Sequence, residues 1–200
     1  MINAMAAWFK MTEMGEHTPG VERWCVFPDE MSTAETWAFV QGKPLPADHP
    51  PGMATSDTPE CFEDMAWGDA RATVISTRLR RLFERIAPGH AQFIPCTIKY
   101  GAKRKRAISE GEHWMVNWLH MVDCFDTKAS RFEGRLDRNG ELDFTACSDP
   151  VFNTSRIPPG IRIFRVKGRE LTVLVDAGVK EAMEAAGITG PVFYGVRTVT

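Results

Sequence analysis

Between residues 44 and 59 the chain places Pro44, Pro46, Pro50, Pro51 and Pro59, with Gly42 and Gly52 among them. Each proline locks φ and removes a backbone donor, so no long helix or central strand runs through this stretch. The first third is therefore read as irregular and loop-rich. Short strands still fit at Trp24–Phe27 and at Thr36–Val40, on either side of the breakers.

Past this region the periodicity becomes readable. Leu79, Leu82, Phe83 and Ile86 repeat at helical spacing behind Ser76, a natural N-cap, and Pro88-Gly89 stops the run. The spacing predicts a helix over about 76–86. Ala91–Lys99 reads as a strand, Gly101–Arg106 as a polar turn, and His113–Cys124 as one long strand. Further strands are expected at Arg131–Leu136, Leu142–Ala146 and Ile161–Val166, with Asp137, Asn139 and Gly140 supplying turn chemistry. Near the end, Leu171–Val175 is a strand and Asp176 caps a helix over about 177–186. Val179, Ala182, Met183 and Ala186 form its apolar stripe, Gly187 takes the left-handed position that ends it, and Val192–Val196 is a last strand.

The fold class is α+β: a mostly antiparallel sheet with two main helices and an irregular, proline-rich N-terminal region. Residues 1–70 form that acidic region and residues 71–200 the α+β core, the two making one continuous domain. The 200-residue length buries a core without cross-links. No segment suits a membrane span, and Met1–Phe9 lacks the basic flank of a signal peptide. Cys25, Cys61, Cys96, Cys124 and Cys147 make no zinc-like spacing, so they read as reduced thiols of a cytoplasmic protein.

Charge is divided unevenly. Residues 1–70 hold 12 acids against Lys10, Arg23 and Lys43, a net of −9, whereas residues 71–200 hold 14 acids against 21 bases, a net of +7. Two readings stay open. The halves neutralise each other internally, or they present opposed surface fields that steer association.

Three stretches carry candidate chemistry. The first, His113–Asp126, holds His113, His120, Asp123, Cys124 and Asp126, the residue types of metal sites and acid/base catalysis. A seven-residue separation puts His113 and His120 on opposite faces of a strand, and no helical H-x-x-x-H is present. An enzyme here is the alternative; a structural strand with Asp123 and Asp126 shaping its exit turn is the plainer reading. The second, Lys99–Arg106, is basic with Tyr100 able to stack, which suits phosphate contact, but no nucleic-acid-binding signature accompanies it. The third is acidic: Asp57, Glu60, Glu63, Asp64 and Asp69 surround Phe62, Met65 and Trp67. Acids around large apolar groups suit a basic protein partner, with Trp67 either anchoring the interface or tucked into the chain's own core.

One resemblance bears on the choice. Ser76-Thr77-Arg78-Leu79 with Leu82-Phe83, then Gln92-Phe93-Ile94-Pro95, resembles a family of immunity proteins from bacterial polymorphic toxin systems, the eleventh immunity family, first catalogued as a domain of unknown function. Asn117, Val122-Asp123, Asp126, Ser130, Ile163-Phe164-Arg165 and Val173-Leu174-Val175 fit the same pattern. So do Lys180, Gly187-Ile188-Thr189-Gly190 and Phe193. The similarity spans roughly residues 60–196 and departs at His113-Trp114, where the family often has a tyrosine. It implies a non-enzymatic, cytoplasmic protein that binds and neutralises one cognate toxin. With the residue readings above, the expectation is no catalytic residues, metal or cofactor, and neither membrane nor nucleic acid as partner. Many such toxins are nucleases with basic grooves, which an acidic surface would complement.

Overall fold

The computed structural model describes residues 8–13, 25–29, 33–56, 64–68, 73–100, 106–132 and 147–200. Strands pair mostly antiparallel around three helices, in keeping with an α+β class. Two β-structures share the work. One is a closed six-stranded barrel of β2 (Cys25–Asp29), β3 (Gly52–Ser56), β6 (Ala91–Tyr100), β7 (Arg106–Trp118), β5 (Thr73–Ser76) and β4 (Met65–Gly68), in that spatial order. The other is a five-stranded sheet ordered β14 (Pro191–Gly195), β1 (Trp8–Glu13), β13 (Arg169–Asp176), β12 (Ile163–Val166) and β8 (Met121–Val122). Smaller pairs join β9 (Arg131–Phe132) to β10 (Cys147–Asp149) and β11 (Val151–Asn153) to β15 (Arg197–Val199).

Period-two alternation sorts the side chains. Along the barrel strands Ala66, Val74, Ile94, Cys96, Ile98 and Met115 point inward, where Phe39 and Leu45 plug one end. Their neighbours Met65, Ile75, Val116 and Trp118 point outward onto α2 (Thr77–Ile86). The five-stranded sheet is buried on both faces. Val173, Val175 and Ile163 meet α2 and α3 (Ala177–Ala185), whereas Leu174, Phe164 and Val166 meet Cys124, Phe125, Cys147 and Phe152. The helices thus lie between barrel and sheet, and their apolar faces close the central core.

Both expected helices are present with their expected caps. Ser76 Oγ accepts from the Leu79 N–H, and Asp176 Oδ1 from the Val179 N–H. Gly187, at φ 61°, ends α3 in a Schellman turn: its N–H donates to Glu184 O and that of Ile188 to Met183 O. The strands expected at Ala91–Lys99, Ile161–Val166, Leu171–Val175 and Val192–Val196 match β6, β12, β13 and β14 within a residue or two. Leu142–Ala146 and the turn at 101–105 lie outside the described residues.

Three differences have physical causes. Thr36–Val40 is not a strand: it belongs to the helix α1 (Thr33–Val40). A five-residue apolar run does not distinguish helix from strand by periodicity. The distinguishing mark is Gly42 at φ 66°, where the Gly42 and Lys43 N–H groups return to Phe39 O and Ala38 O, the same Schellman closure as α3. His113–Cys124 is not one strand either. The chain breaks at Leu119-His120, where the Leu119 N–H turns to His90 O as β7 leaves the barrel and β8 joins the sheet. Finally, residues 1–70 supply β1, β2, α1, β3 and β4 besides the proline-rich loop at 41–51. These strands are short, and β1 and β3 find partners far along the chain, in β13 and β14 and in β6. Among the described residues no helix is long and apolar enough to cross a membrane.

Candidate partner-binding site

Of the acidic stretch, Asp57, Glu60, Glu63 and Asp69 lie outside the described residues, as does the Trp67 side chain, whose backbone pairs with Cys25. Asp64 is described, and it faces inward. It is buried, and Oδ1 accepts from Ser76 Oγ at 2.6 Å. Oδ2 accepts from Arg78 Nη1 at 3.2 Å and from the Thr189 N–H at 3.2 Å. Its own N–H donates to Thr189 Oγ1, and the Met65 N–H donates to Thr189 O. Arg78 also donates through Nη2 to Ala186 O, the exposed carbonyl end of α3. Asp64 therefore serves as an internal clasp that anchors one end of the acidic segment, and its charge is taken up within the chain.

A matching clasp holds the other end of the helix pair. Arg162 donates through Nε and Nη2 to both oxygens of Asp176, at 2.7 and 3.0 Å, and through Nη1 to Ile86 O at the carbonyl end of α2. The hydrogen bond to Asp176 holds the Arg162 guanidinium above its ordinary pKa. The Arg162 N–H donates to His90 Nε2, while His90 Nδ1 donates to Pro88 O, so the proton of His90 sits on Nδ1. The His120 ring stands edge-on to His90 at 4.8 Å. Burial, and secondarily the nearness of His90, lower the His120 pKa. A cleft of about 630 Å³ opens beside this clasp, walled by Trp8, Ile157, Pro158, Ile161 and Val199.

The groups of His113–Asp126 are not brought together. His113 sits on β7 opposite Ser76 and Cys96. His120 faces His90, Asp123 pairs with Lys167 at the surface, and Asp126 Oδ1 caps a turn by accepting from the Lys128 and Ala129 N–H groups. Cys124 is buried, and burial pushes its thiol up to about 12, far from thiolate chemistry at neutral pH. Among the described residues no three of His, Cys, Asp and Glu gather as metal ligands.

A polar latch that sequence reasoning missed lies at the plugged end of the barrel. Asn117, fully buried, donates to Lys43 O at 2.7 Å. Gln92 takes both backbone groups of Leu45: its Oε1 accepts from the N–H and its Nε2 donates to the carbonyl, each at 2.8 Å. The proline-rich loop is thereby fastened to two barrel strands. An Asn and a Gln within apolar strands, and a loop whose prolines lack N–H donors, were the available signal, but the loop partners lie 74 and 47 residues away.

Comparison with known proteins gives one family. A model described as an immunity protein family, Imm11, matches residues 17–198. The match extends well before residue 60 and takes in the barrel, the five-stranded sheet apart from β1, and most of the acidic third. No curated protein matches the chain.

Proposed function

The chain belongs to the Imm11 immunity protein family, and from that premise we propose that it binds and neutralises one cognate toxin of a bacterial polymorphic toxin system, in the cytoplasm and without catalysing a reaction. The observation that carries this reading is the reach of the family match, which covers residues 17–198.

The charge division suggests how recognition works. A net of −9 before residue 71 suits a basic partner, such as the substrate groove of a nuclease. Asp57, Glu60, Glu63 and Asp69 steer the encounter in this reading, while Asp64 fixes the segment that carries them. Steering by exposed acids acts mainly on the association rate and is screened over about 10 Å at 0.1 M salt. The test is to change Asp57, Glu60, Glu63 and Asp69 to Asn or Gln, leave Asp64 intact, and measure association with the toxin encoded by the adjacent gene. A slower on-rate at low salt, converging with the parent at high salt, is expected. Equal on-rates at low salt would remove these four acids from the interface.

A further inference from the structure

The sequence singles out Trp67 as the aromatic of the acidic region; among the described residues the structure turns Trp37 outward. Trp37 on α1 is 59% exposed, whereas Phe39, two residues later, is fully buried in the barrel. The backbone that follows Trp37 is held in place. α1 closes on Gly42, the latch from Asn117 and Gln92 grips Lys43 and Leu45, and Pro44, Pro46, Pro50 and Pro51 stiffen the loop beyond the helix. His49 Nε2 lies 3.2 Å from Glu35 Oε1, tying the loop back to the helix.

A single exposed aromatic is ordinary on a protein surface. Two features set this one apart. It stands on backbone already fixed in place, so docking onto it costs little ordering entropy, and tryptophan is enriched among residues that dominate interface energies. It also sits in a strongly acidic stretch of the sequence: leaving out the inward Asp64, residues 29–63 carry seven carboxylates against Lys43 alone, and Asp48 in the loop is exposed. An apolar anchor within acidic surroundings complements a basic protein face that has an apolar socket.

Resting on the immunity reading above, we infer that the corner formed by residues 33–51 is the docking surface for the cognate toxin, with Trp37 as its anchor. The experiment uses the full chain and the C-terminal domain of the toxin encoded by the adjacent gene. Trp37→Ala should weaken binding about 30-fold or more, mainly through faster dissociation, while Trp37→Phe recovers most of the affinity and the melting temperature stays unchanged. Hydrogen exchange on the parent complex should show new protection across 33–51, a readout that does not depend on any variant folding. Binding of Trp37→Ala within about threefold of the parent, or protection confined to other segments, overturns the surface and leaves the immunity reading standing. A parent chain that neither binds nor protects against that toxin overturns both.

Discussion

The two ends of the α2–α3 pair are fastened by the same parts in different arrangements. At each end an arginine bridges an aspartate to the terminal carbonyl of one helix, beside the N-cap of the other. Arg78 joins Asp64 to Ala186 O next to the cap Ser76; Arg162 joins Asp176 to Ile86 O, and here the aspartate is itself the cap. Both place a cation at a helix carbonyl end, where the macrodipole favours it. The difference lies in how each clasp is wired to its surroundings. The Asp64 end stitches the entry of β4 to the loop 187–190 by hydrogen bonds between Asp64 and Thr189, 125 residues apart, and its carboxylate is almost wholly buried. The Arg162 end has an ion pair only 14 residues apart in sequence, is partly solvated, and is connected to a histidine pair. One end should thus be sensitive to shape and charge deletion, the other to mild acid.

The largest effect should come from distorting the Asp64 end. Gly190 sits at φ 99°, and a Cβ there would run into Met65 O, inside the stitched pair. Gly187, three residues earlier, is also left-handed at φ 61°, but a Cβ would meet only Arg78 Nη2 at 3.6 Å. Gly190→Ala should cost on the order of 3 kcal/mol or prevent folding, against about 1 kcal/mol for Gly187→Ala. Urea denaturation of both variants checks the ratio; similar midpoints would show that the loop yields freely to Met65.

Charge removal should separate the two ends by less. Asp64→Asn keeps size but replaces an acceptor-only group facing three donors, leaving a buried mismatch worth about 2–3 kcal/mol. Asn is a good N-cap, so Asp176→Asn retains the bond from Val179 and loses chiefly the partly solvated ion pair, about 1 kcal/mol. Chemical denaturation at pH 7 decides the order, and a costlier Asp176→Asn would invert the comparison.

The smallest effect is the acid response of the Arg162 end. The His120 pKa lies below its ordinary 6.5 in the folded chain, so the unfolded chain binds the proton better. Stability from this group is complete above about pH 6.5 and falls as pH drops below it toward the folded value. His120→Gln removes that contribution. The drop in melting temperature between pH 7.5 and 5.5 should be smaller in the variant than in the parent; equal drops would place the acid response elsewhere.

Legibility in the sequence tracks the range of the interactions involved. Helices α2 and α3 were legible because their caps, stripes and stop signals lie within a dozen residues. The strands β6 and β13 were legible from β-branched and apolar runs between clear breakers. Barrel closure was not, because the parallel pairings of β2 with β4 and of β3 with β6 depend on which distant strand arrives. The acidic cluster shows the same limit within one site. In the sequence Asp64 looks like its neighbours Glu60 and Glu63, and its inward role depends on Ser76, Arg78 and the loop at 187–190. Trp37 carries no comparable signal, because the run Thr36–Val40 fits a strand as well as a helix and so does not fix which side chain faces solvent.

The position of β1 has a consequence in time. It lies between β13 and β14, so Trp8 pairs with Asp176 and Phe9 with Gly195. A ribosome makes this strand long before either of its neighbours. Through most of synthesis β1 has no sheet to join, and its apolar residues Phe9 and Met11 wait without their core. Closing so wide a loop is slow and leaves an unpaired strand open to wrong partners in the meantime. The barrel, whose strands all lie between residues 25 and 118, is free to form first and offers the outward faces of β4, β5 and β7 as the ground on which the sheet later assembles.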